Sequence, residues 1–333
     1  MLELDIKDRK LIALLSRDCR AKLGDLGKEL NLSKKSVKQR IERLQEREFI
    51  SNFIPVLNYA KLQLSTFDLF LKLKASPEEE KELIKELEKH PYLMGSASLF
   101  GEWDIFIQFV SLDYWEFYIT IMKPFIKKFN NIIDSYEVKF SSERWKFKEE
   151  REEFSKLVKN KFSKKKKNKV MRRLDVVDKK VLNALAKNAR ASFSEIGKEI
   201  NESLETTRNH FNKLVATGII MEFSIEVNFK KLGYVDYFTI VKHHNFTEER
   251  IEELKLFINS KKAISYAMQM GTTPEFFLSV SVKDIYDAEA LFREMKEKFH
   301  NEIVSISNLL VTEYIREDLY PKGLMKPFQF GGN

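Results

Sequence analysis

At 333 residues and 43% apolar content, with no run of 18 apolar residues, the chain is long enough for two to four domains and excludes both a disordered chain and a helical membrane span. Its single cysteine, Cys19, excludes an intrachain disulfide, and the opening MLELDIKDRK lacks the apolar core of a signal peptide, so a cytoplasmic location without a membrane partner is expected. The net charge of +8 is local: residues 141–173 hold 14 Lys and Arg against 5 Asp and Glu, leaving 44 against 45 elsewhere, so overall charge alone does not identify a nucleic-acid partner.

The first helix is expected to open at Asp5, a good N-cap, with Asp8 in the first turn and Ile6, Leu11, Ile12, Leu14 and Leu15 forming an apolar stripe. A short helix over 22–30 turns Leu23, Leu26 and Leu30 inward. Its mid-helix Gly27 costs helix stability, which points to a close approach there. Asn31 suits the left-handed backbone of a tight turn, and Ser33 reads as the N-cap of a third helix with Val37, Ile41 and Leu44 inward. Helix, tight turn, helix is the pattern whose second helix enters the DNA major groove. Over 34–47 that helix carries six bases, Lys34, Lys35, Lys38, Arg40, Arg43 and Arg47, opposed only by Glu42 and Glu46. Ser36 and Gln39 add short polar groups near its start. Lys and Arg suit phosphates, and Gln, Arg and Ser suit base edges. A solvated charged face is the plain alternative.

After a connecting strand over 49–58 the period changes to two. Residues 66–74 read as a half-buried strand. Ser76, Pro77, Glu78, Glu79 and Glu80 open a helix by capping, which is the simpler account of three adjacent acids than catalysis or metal binding. Strands over 93–100 and 105–110 flank a turn of Gly101, Glu102, Trp103 and Asp104, followed by a helix over 112–129 and a strand over 132–140. The order βαββαβ is ferredoxin-like. Residues 141–173 are expected to be a basic linker, helical over 142–162, with the run 164–167 a solvated tether offering nonspecific phosphate contacts.

From residue 174 the chain begins again. A shift of 170 places Leu4 and Asp5 on Leu174 and Asp175, Asp8 on Asp178, Arg20 on Arg190, Gly27 on Gly197, Asn31 on Asn201, Ser33 on Ser203 and Gly101 on Gly271, without gaps. The domains expected are a helix-turn-helix domain over 1–50, a βαββαβ domain over 51–140, the linker, a second helix-turn-helix domain over 174–220, a second βαββαβ domain over 221–320 and a tail over 321–333. The fold class is thus α+β, with two three-helix, winged or plain helix-turn-helix domains and two ferredoxin-like domains. The second reading helix is less basic: Arg208 and Lys213 stand against Glu205, with Thr206, Thr207, Asn209 and His210 as further polar candidates after the cap Ser203. Residues 174–230 carry 8 bases and 8 acids, against 13 and 9 over 1–60. The first module is therefore expected to supply most of the DNA affinity.

Each unit resembles the Lrp/AsnC, or feast/famine, family of transcription regulators, whose βαββαβ half is called the RAM domain. The resemblance rests on Leu4 and Asp5 with Asp8, Arg20, the Leu32–Ser33 helix start, Arg40, Arg43 and Leu44, Phe49 and Ile50, Asn58, and the Gly101, Glu102, Trp103, Asp104 loop. It implies sequence-specific binding of double-stranded DNA and adds Arg20 and Arg190 to the DNA-binding candidates. It also implies dimerisation by face-to-face packing of sheets. Here that means an intramolecular pseudo-dimer within one chain, with a homodimer of chains as a further possibility. It further implies an amino acid or similar effector near Gly101, Glu102 and Asp104, although the same loop reads equally well as a tight turn capped by Asp104. In the second copy Gly271, Thr272, Thr273 and Pro274 lack both acids.

Two other classes fit the architecture. Sirohaem decarboxylases share it and, by that resemblance, use histidines in the sheet domain. This chain has none over 91–140, and His243 with His244 is its one pair. A DNA-free metabolite sensor is the other, opposed by the basic face of the first reading helix. No zinc spacing, phosphate-cradling glycine loop or Ser/His/Asp order stands out, so no catalytic residue, metal or cofactor is expected.

Overall fold

The structure is a computed structural model that describes residues 4–147, 174–271 and 274–325. These fall into two compact units, one helical (4–64, 174–228 and 318–325) and one built on sheets (65–147, 229–271 and 274–317).

In the helical unit, α1 (Ile6–Arg17), α2 (Leu23–Leu30) and α3 (Lys34–Glu46) lead into β1 (Ile50–Leu57). Asp5 caps α1 by accepting from the Asp8 backbone N–H (2.7 Å), as its sequence position requires. Leu11, Ile12 and Leu15 are buried, whereas Ile6 lies exposed outside the expected stripe. The tight turn is left-handed at Asn31 (φ 51°). A Cβ on Gly27 would lie 2.6 Å from the Leu32 carbonyl oxygen, so close approach is why the helix accepts its glycine. The second copy repeats this in α6 (Val176–Lys187), α7 (Phe193–Ile200), α8 (Leu204–Ala216) and β6 (Ile220–Val227), with Asn201 at φ 58°.

The strands that follow the helices pair with each other. β1 and β6 form a two-stranded antiparallel ribbon in which Phe53 faces Ile225. Each flanking bond occurs twice, once from each copy. Cys19 N donates to Phe223 O (3.1 Å) and Ala189 N to Phe53 O (2.8 Å); Asn58 N donates to Ile219 O (2.8 Å) and Asn228 N to Phe49 O (3.0 Å). The domain boundaries therefore fall near 64 and 228 rather than 50 and 220, because each strand leaving α3 or α8 stays with the helices. The expected tail at 321 is also displaced. Leu319, Tyr320 and Leu324 are buried in this unit, where Tyr59 donates to Leu319 O (2.8 Å) and Asn183 to Tyr320 O (3.1 Å).

The other unit holds two βαββαβ motifs. The first is β2 (Ser65–Leu73), α4 (Pro77–Lys89), β3 (Leu93–Phe100), β4 (Ile105–Ser111), α5 and β5 (Ile133–Phe147). Helix α5 begins at Tyr114–Glu116, passes through a π-helical stretch, Phe117–Met122, and ends as Lys123–Phe129. Ser76 and Glu79 close the capping box that opens α4. The second motif is β7 (Val235–His243), α9 (Glu248–Ser260), β8 (Ile264–Met270), β9 (Glu275–Val282), α10 (Ile285–Lys298) and β10 (Ile303–Glu317). Edge strands join the motifs, β10 to β3 and β5 to β8, and close an eight-stranded barrel. Its interior is one apolar cluster drawn from both copies, including Phe70, Leu99, Phe106, Phe238, Met268, Phe277 and Leu309. Strand β2 is consequently buried on both faces rather than one: Phe67, Leu69 and Leu71 meet the helices while Phe70 meets the second sheet. Residues 141–147 are strand, not linker helix, because they pair with β8. The rest of the expected linker, 148–173 with its lysine run, lies outside the described residues, as does 326–333 of the tail.

Candidate nucleic-acid interface

Helices α3 and α8 are built alike. Ser33 Oγ accepts from Ser36 N (3.1 Å) and bonds the Ser36 hydroxyl (2.9 Å); Ser203 Oγ accepts from Thr206 N (3.0 Å) and donates to Thr206 Oγ1 (2.9 Å). The helix starts are thus fixed with their first-turn side chains outward. On α3 the exposed residues near the start are Lys34, Lys35, Lys38 and Gln39, with Lys38 in a loose surface pair with Glu42 (3.6 Å). Their counterparts on α8, also exposed, are Leu204, Glu205, Arg208 and Asn209. The Arg208 guanidinium lies 5.7 Å from the Phe193 ring centroid.

Several expected DNA contacts are spent inside the protein instead. Arg40 donates to Asp5 Oδ2 (2.6 Å) and Asp8 Oδ1 (2.7 Å), and Arg43 Nη2 lies 2.7 Å from Asp8 Oδ2. Asp8 is buried, so the two arginines neutralise it and clamp α3 to the start of α1. The second copy uses weaker bases in the same places: His210 Nδ1 lies 2.8 Å from Asp178 Oδ1, and Lys213 Nζ lies 2.5 Å from Asp178 and 3.0 Å from Asp175. Asp175, Asp178 and His210 would otherwise read as a metal-ligand set, but the Lys213 ammonium already sits between the carboxylates. Burial raises the Asp5 and Asp175 pKa values. The Arg40 side chain and the Asp8 backbone N–H outweigh this for Asp5, and the Asp178 backbone N–H with Lys213 does so for Asp175, so both carboxyls sit below the usual range.

Arg20 and Arg190 are also diverted. Arg20 donates to the carbonyls of Ala189 and Ala191 and lies 4.9 Å from the Phe211 ring, 5.4 Å from Phe193 and 5.6 Å from Phe223. Arg190 reciprocates, donating to Cys19 O and Ala21 O and lying 5.8 Å from the Phe53 ring. Each arginine ties one copy to the other. Thr207 is fully buried and returns its hydroxyl to Ser203 O (2.9 Å), so it faces the core. Arg47 is at the C-cap of α3, a 13-residue helix, roughly 20 Å from the reading end. The Cys19 thiol is fully buried among these groups, and burial pushes its pKa up to about 12.

In the barrel unit, Gly101 is at φ 145°, where a Cβ would come within 3.2 Å of Leu309 Cδ2. Glu102 is exposed. Asp104 turns back: Oδ2 accepts from Leu73 N (2.7 Å) and Oδ1 pairs with Lys72 (2.9 Å), which makes it the brace of the turn. Its counterpart escaped the sequence comparison. Leu71 pairs with Ile105 but Val241 with Phe276, and Ala97 pairs with Phe106 as Met268 does with Phe277, so one extra residue between β7 and α9 makes the repeat offset 171 from α4 through β4; Glu275 takes the place of Asp104, and Gly271 that of Phe100 rather than of Gly101. Glu275 is buried against Lys139, itself fully buried and 2.7 Å from Glu137, with Lys242 at 3.8 Å. The helix caps Ser76 and Thr247, 171 rather than 170 positions apart, were the signal available in the sequence. His243 stacks on Phe276 (4.2 Å, interplanar 11°) with neither ring nitrogen hydrogen-bonded, and His244 is exposed.

Comparison with known proteins matches residues 4–45 to the AsnC-type helix-turn-helix domain and residues 174–221 to a winged helix-turn-helix DNA-binding domain. An HTH-type transcriptional regulator of Methanocaldococcus jannaschii is 31% identical over 143 residues, which is 43% of this chain and 93% of that protein. One from Pyrococcus abyssi is 26% identical over 151 residues, covering 44% and 96% respectively. Such relatives are thus about half as long as this chain. Among solved structures, the siroheme decarboxylase NirDL shares the fold at 14% identity and a TM-score of 0.60, over 94% of this chain and 93% of that one. No described helix is long and apolar enough to cross a membrane.

Proposed function

Because the chain belongs to the Lrp/AsnC family of DNA-binding transcriptional regulators, we propose that it reads double-stranded DNA with the starts of α3 and α8. On α3 the reading residues are Lys34, Lys35, Ser36, Lys38 and Gln39; on α8 they are Thr206, Arg208 and Asn209. One observation supports this above others. Arg40 and Arg43 hold α3 against α1, leaving the lysines and Gln39 at its capped N-terminal end facing solvent. Arg20, Arg190, Arg40, Arg43, His210 and Lys213 then position the reading helices without touching bases. The barrel serves as the built-in dimerisation half, so that one chain does the work of two subunits. It also carries the candidate effector loop at Gly101 and Glu102 for an amino acid or similar metabolite, with Asp104 holding the loop's shape. In this reading the chain catalyses no reaction, acts in the cytoplasm, and homodimerises only as an additional level of assembly.

Gel-shift titration of the full chain on its own promoter region, with competitor DNA and at several salt concentrations, tests the reading. A specific complex should survive competitor and weaken steeply with salt. Lys34→Glu combined with Lys35→Glu should lower the salt slope by roughly 2, about 0.9 for each phosphate that is no longer neutralised. Absence of a shift, or an unaffected one in the double variant, refutes it. Binding of an iron porphyrin with decarboxylation would instead favour the enzyme class.

A further inference from the structure

The scaffold that presents α3 and α8 is symmetric, but the surfaces presented are not. On the scaffold side these devices occur twice at matching positions: the left-handed Asn31 and Asn201, the crowded Gly27 and Gly197, the caps Ser33 and Ser203, the reciprocal Arg20 and Arg190, and the paired ribbon bonds from Cys19 and Ala189. The two reading helices are therefore held on one body in equivalent settings, as in a two-fold dimer. At the exposed reading positions the side chains differ throughout. Lys34 corresponds in the repeat to Leu204, Lys35 to Glu205, Lys38 to Arg208 and Gln39 to Asn209. Three positive charges on α3 become one positive and one negative on α8.

Operator palindromy mirrors two-fold symmetry of the reading heads, and here that symmetry stops at the side chains that would meet DNA. Resting on the DNA-binding reading above, we propose that a single chain recognises an asymmetric operator made of two unlike half-sites in fixed order. The α3 half-site is held mainly through phosphates by Lys34, Lys35 and Lys38, with Gln39 on a base edge. The α8 half-site is read with little phosphate attraction. There the Arg208 fork suits guanine O6 and N7, Asn209 suits adenine N6 and N7, and the Glu205 carboxylate accepts from an exocyclic amino group such as cytosine N4. Glu205 also repels phosphate, so this half-site contributes discrimination more than affinity.

The test is selection of binding sites from random duplexes by the full chain, followed by gel shifts on three sequences: the selected site and the two palindromes made by duplicating either half. The expected result is a consensus of two unlike halves, with each palindrome bound at least roughly ten-fold more weakly, given the usual cost of mismatched base pairs. A palindromic consensus, or a palindrome of α3 halves bound as well as the selected site, overturns the proposal while leaving DNA reading intact. No enriched sequence at all overturns both. The variant Leu204→Lys, Glu205→Lys, Arg208→Lys, Asn209→Gln alters only exposed residues and makes α8 match α3 at those four positions. It should now prefer the α3 palindrome over the asymmetric site, and an unchanged preference for the asymmetric site also overturns the proposal.

Discussion

Arg20→Ala separates the two roles open to this arginine, a DNA contact or a brace between the copies. In the structure its guanidinium bonds the carbonyls of Ala189 and Ala191 and lies within 5.6 Å of three aromatic ring centroids. A hydrogen bond from a charged donor contributes about 1.5–3 kcal/mol, and a partly desolvated cation–π contact about 0.5–2 kcal/mol. One side chain makes all of these contacts, so the contributions do not add. We expect a loss of about 3 kcal/mol. With urea slopes of about 1–3 kcal/mol/M, the midpoint should fall by about 1 M or more. Native-state amide exchange localises the effect. The Cys19 and Ala189 amides, which bond across the ribbon, should lose protection first. Arg20→Lys keeps the charge but not the planar fork, and should recover less than half of the loss. At low temperature without denaturant, DNA affinity should change little. Unchanged exchange at Cys19 and Ala189, together with a roughly ten-fold or greater fall in DNA affinity, would refute the brace and restore Arg20 to the DNA face.

Three further outcomes follow from particular contacts. Gly27→Ala gains about 1 kcal/mol of helix propensity, but its Cβ would lie 2.6 Å from a backbone carbonyl, so overpacking of about 1–3 kcal/mol should win; Gly24→Ala, whose Cβ meets only the flexible Lys34 tip, should stabilise, and thermal melts of both decide. His90 packs edge-on against Phe109 (4.9 Å), and burial lowers its pKa to about 4 from 6.5. Its contribution is complete above pH 6.5 and is lost as pH falls towards 4, so His90→Leu should flatten the urea midpoint of the barrel unit across that window. Lys139→Met leaves Glu275 buried without its main partner and should cost about 3–5 kcal/mol, while adding Glu275→Leu should restore most of it, measured by urea titration of the single and double variants.

What the sequence disclosed were features whose cause is local. Asn31, Ser33 and Ser76 declare their turns and caps because a left-handed residue or an N-cap acts within three positions of itself. The repeat offset of 170 then doubled the first two of these signals, in Asn201 and Ser203. What stayed hidden depended on partners far along the chain. Arg40 and Arg43 look like DNA contacts until Asp8, more than 30 residues earlier, is seen to be buried between them. Arg20 looks the same until its acceptors appear near residue 190. The alternation of β2 suggests one wet face because a single copy gives no hint that the second sheet covers the other. The extra residue before Thr247 moves the repeat offset to 171 over the next strands while Ile105 and its repeat partner Phe276 still bury the same face, and this disguised Glu275 as an addition rather than the equivalent of Asp104.

The two copies diverge where internal contacts are fewest, and this follows from the arrangement itself. A buried carboxylate needs a cation, so the positions facing Asp8 and Asp178 keep hydrogen-bonding bases, Arg40 and Arg43 in one copy and His210 and Lys213 in the other. Lys35 and Glu205 face no such demand, since both point to solvent, and they differ by two units of charge. In a homodimer any change on the reading helix alters both half-sites together. Fusion removes that link, so one reading helix can change while the other stays as it is. The barrel shows the same freedom under tighter constraint. The repeat partner of buried Lys139 is buried Leu309, which lies against Gly101, so one copy holds an apolar side chain where the other holds an ion pair.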